Sequence, residues 1–172
     1  MTSEELECIV TRYMDSYAAM TLACSLDDKP WTAAVYYARQ GLDLIFFSSP
    51  NSRHSVIFSQ NPAAAAAIHG DYREWKEIKG LQMEGHIHAV TTATARARAI
   101  STYLKRHPFV SEFLSAPLSI GVEVAKKMSK IELYSFRPDT IMYLDNEVGF
   151  GTRWQLKVHE GQAHDLTRNP FF

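Results

Sequence analysis

The sequence predicts an α+β fold in which a largely antiparallel sheet closes on itself and helices flank it. Three observations carry that prediction. Period-two alternation with short connections dominates residues 20–47, helical periodicity occupies separate intervals, and strand patterns return after residue 130.

The first element reads as a helix. Thr2 and Glu5 have capping-box spacing, and Leu6, Ile9, Val10 and Tyr13 recur at helical intervals. From Met20 the period becomes two, with Leu22, Cys24 and Leu26 alternating with Thr21, Ala23 and Ser25, and Asp27-Asp28-Lys29-Pro30 supplies turn chemistry. A second strand runs from Trp31 to about Ala38, and Arg39-Gln40-Gly41 turns into a third, Leu42 to Phe47. The short connections predict an antiparallel meander.

A short helix follows from about Ser52 to Ser59, stopped by Asn61-Pro62. The alanine-rich Ala63 to His69 is strand-sized between Pro62 and Gly70, too short to nucleate a helix well. Ile78 to Val90 reads as the longest strand, with Leu81, Met83, Ile87 and Ala89 on one face and Gln82, Glu84, His86 and His88 on the other. Helical spacing returns over Thr92 to Arg106 through Ala97, Ile100 and Leu104, then over Phe109 to Ser115 and Ser119 to Met128. Lys130 to Phe136 and Thr140 to Leu144 read as a hairpin around Pro138-Asp139.

A chain of 172 residues without repeat or linker predicts one domain, residues 1–172. Eighteen Lys and Arg against nineteen Asp and Glu point away from a surface built to grip nucleic acid. The longest apolar runs, such as Ala63 to Ile68, fall far short of the roughly 18 residues a membrane span needs. Glu4, Glu5 and Glu7 precede any apolar run, so no secretory signal is legible and a cytoplasmic protein is expected. Two cysteines, Cys8 and Cys24, make neither a disulfide framework nor a zinc site.

Gly149-Phe150-Gly151-Thr152-Arg153-Trp154 begins like a dinucleotide fingerprint, but it has Trp where the third glycine belongs and reads as a turn. No phosphate loop or Gly-x-Ser-x-Gly elbow occurs. Glu84, His86 and His88 share one strand face, yet no second cluster offers a fourth ligand, so the face reads as polar surface and no metal is expected. His159 and His164 fall in a polar, turn-rich tail.

The segment Phe46 to His54 is the most informative. A strand ends in serines, and a helix begins at Ser52 with Arg53 and His54 in its first turn. Cations are misplaced there, because a helix N-terminus already carries partial positive charge. A bound anion reverses that sign: open N–H groups, serine hydroxyls and a guanidinium all donate to phosphate.

Phe47-Ser48-Ser49, then Ser52-Arg53-His54, then Asn61-Pro62 resembles the pyridoxamine 5′-phosphate oxidase-like, FMN-binding split-barrel family. Ile78-Lys79-Gly80-Leu81-Gln82-Met83-Glu84-Gly85 resembles that family's central strand. Leu114-Ser115-Ala116-Pro117, and Asp145-Asn146 leading to Gly149-Phe150-Gly151, resemble a short bacterial branch of it. The resemblance implies a six-stranded split barrel and a homodimer with FMN at the subunit interface. Phe47, Ser48 and Ser49 would line the flavin, Ser52, Arg53 and His54 would hold its phosphate, and Gly80 and Gln82 fall on the strand that approaches the ring. The second strand, Thr32 to Ala38, lacks the two cations that true oxidases place there, and His54 stands where a lysine is usual. These departures point away from vitamin B6 oxidation and toward another flavin-dependent oxidoreductase acting on a small molecule. Tyr36, Tyr72 and Trp75 are candidate walls for its ring or substrate. The alternative is a non-catalytic flavin- or haem-binding module, with His86 or His88 as axial ligand.

Overall fold

The computed structural model describes residues 1–111 and 130–169. It opens with helix α1 (Ser3–Ser16), whose Thr2–Glu5 capping box is formed in both directions. Leu6, Val10 and Met14 of α1 are fully buried, each contributing about 1.5–3 kcal/mol of hydrophobic stabilisation. Strands β1 (Ala19–Leu26) and β2 (Lys29–Tyr36) form a hairpin whose two turn residues, Asp27 and Asp28, both have positive φ. That is the turn twist a two-residue hairpin favours.

Strands β3 (Ala38–Gln40) and β4 (Asp43–Ser48) form a second hairpin, followed by helix α2 (Arg53–Gln60) and strand β5 (Ala63–His69). A short 3₁₀ turn, Trp75–Glu77, leads into β6 (Lys79–Ala89), helix α3 (Ala93–Arg106), β7 (Glu132–Asp145), β8 (Arg153–His159) and β9 (Gln162–Asn169).

The predicted meander does not form. The first two predicted strands pair as β1 and β2, but the sheet order is β2-β1-β5-β6-β7-β4-β3, so the third, β4, lies toward the opposite end from β2. Only Tyr37 separates β2 from β3 in the chain, which brings the two ends of the sheet together and curls it into a barrel. Tyr37 is 1% exposed, and its hydroxyl donates to the carbonyl of Met14, tying the closure to α1. Inside lie Met20 and Leu22, Leu44 and Phe46, Ile68, Leu81, Met83 and Ile87, and Phe136, Ile141 and Tyr143.

The predicted hairpin around Pro138 is a single 14-residue strand, β7, longer than β6. A bulge between Glu84 and Gly85 absorbs the proline: Glu84 pairs with Thr140 and Gly85 with Pro138, leaving Asp139 as the extra residue. The tail is also regular structure. β8 and β9 pair around Glu160-Gly161, both at positive φ, so among the described residues the sheet has nine strand segments where six were expected. Helix α3 buries Ala99 and Tyr103, a face rotated from the Ala97–Ile100–Leu104 stripe, because it packs on Ile45 and Leu133 outside the barrel. The predicted helix Ser119–Met128, most of Phe109–Ser115, and the Leu114–Pro117 motif lie outside the described residues.

Candidate functional site

β4 ends at Ser48, and the chain turns through Ser49 to Ser52, which caps α2 by accepting from the Ser55 N–H at 3.3 Å. Around that cap lies a knot of hydroxyls. Ser52 Oγ donates to Ser55 Oγ at 2.8 Å, and Ser55 Oγ donates to Ser48 Oγ at 3.1 Å. His54 Nε2 lies 2.7 Å from Ser48 Oγ and 3.1 Å from Ser52 Oγ. Ser48 and Ser55 are buried. Burial lowers the His54 pKa, so the imidazole is held neutral, and Arg53 is the fixed positive charge of this turn. Its guanidinium lies 4.1 Å over the ring of Trp31 on β2.

The first hydrogen bond of the helix joins the Val56 N–H to the Ser52 carbonyl. The N–H groups of Arg53 and His54 therefore precede the helical ladder, as the opening donors of a helix do. A serine 2.7 Å from a histidine also resembles a nucleophile and its base. Among the described residues, however, no carboxylate orients the other ring nitrogen of His54, so the pair lacks the third member of such a set.

The predicted site residues divide into two groups. Ser48, Ser52 and His54 meet directly, with Ser49 and Arg53 in the same turn. Phe47 is turned toward α3, edge-on to Tyr103 at 4.7 Å. Gly80 is buried in the ladder between His69 and Leu144. Gln82 lies on the outer face of the sheet, in a groove of about 460 Å³ with Thr21, Ala23, Ala65, Ala67 and Glu84. Trp31 and Ser55 were not singled out by sequence. Ser55 had a legible signal, its position three residues after the cap, whereas Trp31 reaches Arg53 only through folding.

Of the other candidates, Tyr72 is tied to α1, 2.9 Å from the Tyr13 hydroxyl and 3.1 Å from that of Tyr17. Trp75 is half-exposed against Phe150, and Tyr36 is exposed on the edge strand. His86 and His88 open into a different cavity, described below. The Gly149–Gly151 segment is a loop, as expected, and its Gly151 N–H donates to the Asn146 side chain.

A curled antiparallel sheet with flanking helices and this strand order is the split barrel of pyridoxamine 5′-phosphate oxidase-like proteins. No family model matches the chain. In sequence it is similar to the UPF0306 protein of Klebsiella pneumoniae strain 342, 27% identical over 158 residues that cover 90% of this chain and 96% of that one. In structure it is similar to a haem-binding protein from Mycobacterium smegmatis, with TM-score 0.66 and 17% identity over 90% of this chain. There the chain spans only 57% of its counterpart's length. A Listeria innocua protein provisionally named a pyridoxamine 5′-phosphate oxidase superposes with TM-score 0.61 and 16% identity, covering 81% of this chain and 98% of that one. An FAD-binding protein from Mesorhizobium loti gives 0.54 and 19%, covering 80% and 89%. Among the described residues no helix is long and apolar enough to cross a membrane.

Proposed function

We propose that this chain binds FMN and acts as a flavin-dependent oxidoreductase on a small organic molecule. The observation that carries the reading is the start of α2, where Ser48, Ser52, Arg53 and His54 offer hydroxyl, guanidinium and opening helix donors to one anion. The chemistry of that donor set fits a phosphate monoester. When bound, the flavin supplies the redox chemistry, which explains why no oriented nucleophile–base–acid set is needed.

The chain's own residues bind and orient. Ser48, Ser52 and Arg53 hold the phosphate, and Trp31 keeps the guanidinium stacked beside the helix start. Ser49 and Phe47 border the cradle, while Gly80 and Gln82 mark the strand proposed to approach the ring. A second copy of the chain is proposed to cover the outer sheet face, closing the cofactor site between subunits and excluding water from it. The Mycobacterium and Mesorhizobium neighbours, a haem- and an FAD-binding protein by name, support a cofactor module on this fold. The haem-binding alternative differs in its spectrum, one intense band in place of paired flavin bands.

The test is a titration of the purified chain with FMN and with riboflavin, followed by flavin fluorescence. Losing a charge-assisted contact costs about 1.5–3 kcal/mol, so Arg53→Ala is expected to weaken FMN roughly ten- to a hundredfold and riboflavin far less. Equal loss for both ligands, or none, would remove the phosphate assignment. A colourless protein that takes up neither flavin nor haem would remove the cofactor reading altogether. Bleaching of bound flavin by a defined electron donor, with turnover of an acceptor, separates an enzyme from a carrier.

A further inference from the structure

Three of the seven histidines line one cavity on the outer sheet face, away from α2. His86 and His88 project from β6 into a cavity of about 490 Å³, and His159 lines the same cavity from β8, on the far side of β7. The strand by itself offered two imidazoles; folding adds a third from a distant part of the chain.

His86 Nδ1 lies 2.9 Å from Asp139 Oδ2. A carboxylate only accepts, so Nδ1 carries the proton and the Nε2 lone pair of the neutral ring is left free. An imidazole anchored this way through its second nitrogen is the arrangement of metal-ligating histidines. Asp139 reaches that position because it is the extra residue of the β6–β7 bulge. The rings of His86 and His88 are 6.4 Å apart and inclined by only 28°. Both side chains leave the same strand face, so side-chain rotation alone can turn their nitrogens toward a shared ion. As they stand, no three potential ligands among the described residues converge on one point, so a shared ion requires His88 and His159 to rotate toward the Nε2 of His86.

The charges in the cavity select a cation. Asp43, Asp139 and Glu160 face one permanent positive charge, Arg137, whose Nε already lies 3.4 Å from Asp43. Neutral imidazoles prefer zinc, nickel or copper over the oxygen-seeking magnesium and calcium.

We propose that His86, His88 and His159 bind one divalent ion of the zinc–nickel–copper class, with Asp139 positioning His86. The site shares no residue with the proposed flavin cradle at the start of α2.

The full chain, stripped with chelator, is titrated with cobalt(II), read by its visible ligand-field bands, and then with zinc by displacement. The expected result is one ion per chain, displaced by zinc and not by magnesium. His86→Gln and His88→Gln should each abolish the bands, and His159→Gln should weaken binding and change their shape. Asp139→Asn should weaken binding about 10- to 100-fold, as loss of an orienting carboxylate does. His69→Gln, on β5 and outside the cavity, should bind as the parent does. An unaltered titration in His86→Gln, or no binding by the parent chain, overturns the proposal, and so does equal loss in His69→Gln. These imidazoles are not part of the barrel interior, so the variants are expected to fold, and FMN titration of each reports separately on the other site.

Discussion

His54 is where local chemistry and burial pull in different directions. Its Nε2 sits within hydrogen-bond distance of Ser48 and Ser52, and burial lowers its pKa from the usual 6.5. Well above pH 6.5 the ring is neutral in both folded and unfolded chains and contributes no pH dependence. As pH falls below that value, the unfolded chain takes up a proton that the folded chain resists, so stability declines until the folded pKa is passed. Thermal unfolding of the ligand-free protein between pH 7.5 and 5 should show this decline. His54→Gln should reduce its slope without removing it, because His88 is also shifted down by burial and by Arg137. An identical slope in the variant would mean that His54 titrates as a solvent-exposed ring. A phosphate bound at Arg53 acts in the opposite sense and should flatten the slope of the parent protein.

At the scale of the element, the β6–β7 ladder shows how a glycine and a proline on facing strands share one irregularity. A Cβ on Gly85 would lie 2.0 Å from the Arg137 carbonyl oxygen and 2.8 Å from the Pro138 Cα, both backbone atoms that cannot rotate away. Gly85→Ala is therefore expected to cost about 1–3 kcal/mol or more, read as a lower urea midpoint with an unchanged slope. A midpoint equal to the parent's would show that the strands do not approach this closely. Because the same bulge presents Asp139 to His86, Gly85→Ala should also weaken cobalt(II) binding. Helix α1 illustrates the converse. Its cap and apolar stripe are local, and the tertiary structure adds Met14 as a third fully buried anchor.

At the scale of the whole molecule, closure of the barrel leaves a broad surface that the described residues do not cover. Thr21, Ala23, Ala65, Ala67 and Gln82 line a shallow groove with Met142, and Glu84 and Lys157 bring it one charge of each sign. Beside it the edge strand β2 keeps Trp31 and Tyr36 exposed, at 37% and 54%. If a second copy covers this face, light scattering should give twice the 19.5 kDa chain mass. Ala65→Arg should shift the assembly to monomer and weaken FMN in parallel, because the cofactor is proposed to lie between subunits. A monomeric variant with full FMN affinity would place the cofactor within one subunit.

Much of this was legible before folding, for physical reasons that can be named. The capping box of α1, the Ser52 cap of α2 and the alternation of β1 and β6 depend on residues a few positions apart, so spacing alone reveals them. The order Phe47-Ser48-Ser49, Ser52-Arg53-His54, Asn61-Pro62 pointed to the start of α2 for the same reason. What spacing could not reveal was pairing between distant segments. The chain's turns made a meander look natural, yet β1 pairs β5, β4 pairs β7, and a single tyrosine joins the two ends of the sheet. Pro138 looked like a turn because a proline breaks a ladder; here a bulge with Asp139 as its extra residue accommodates it, and that bulge exists only against β6, some fifty residues away. The sequence by itself determined the α+β class, the helix caps, the strand faces and the run of serines with Arg53 and His54 at the start of α2. Only the tertiary structure decided that the sheet closes, that His54 is drawn neutral into a serine knot, and that His159 and Asp139 join His86, since burial and cross-strand contact arise from the folded arrangement alone.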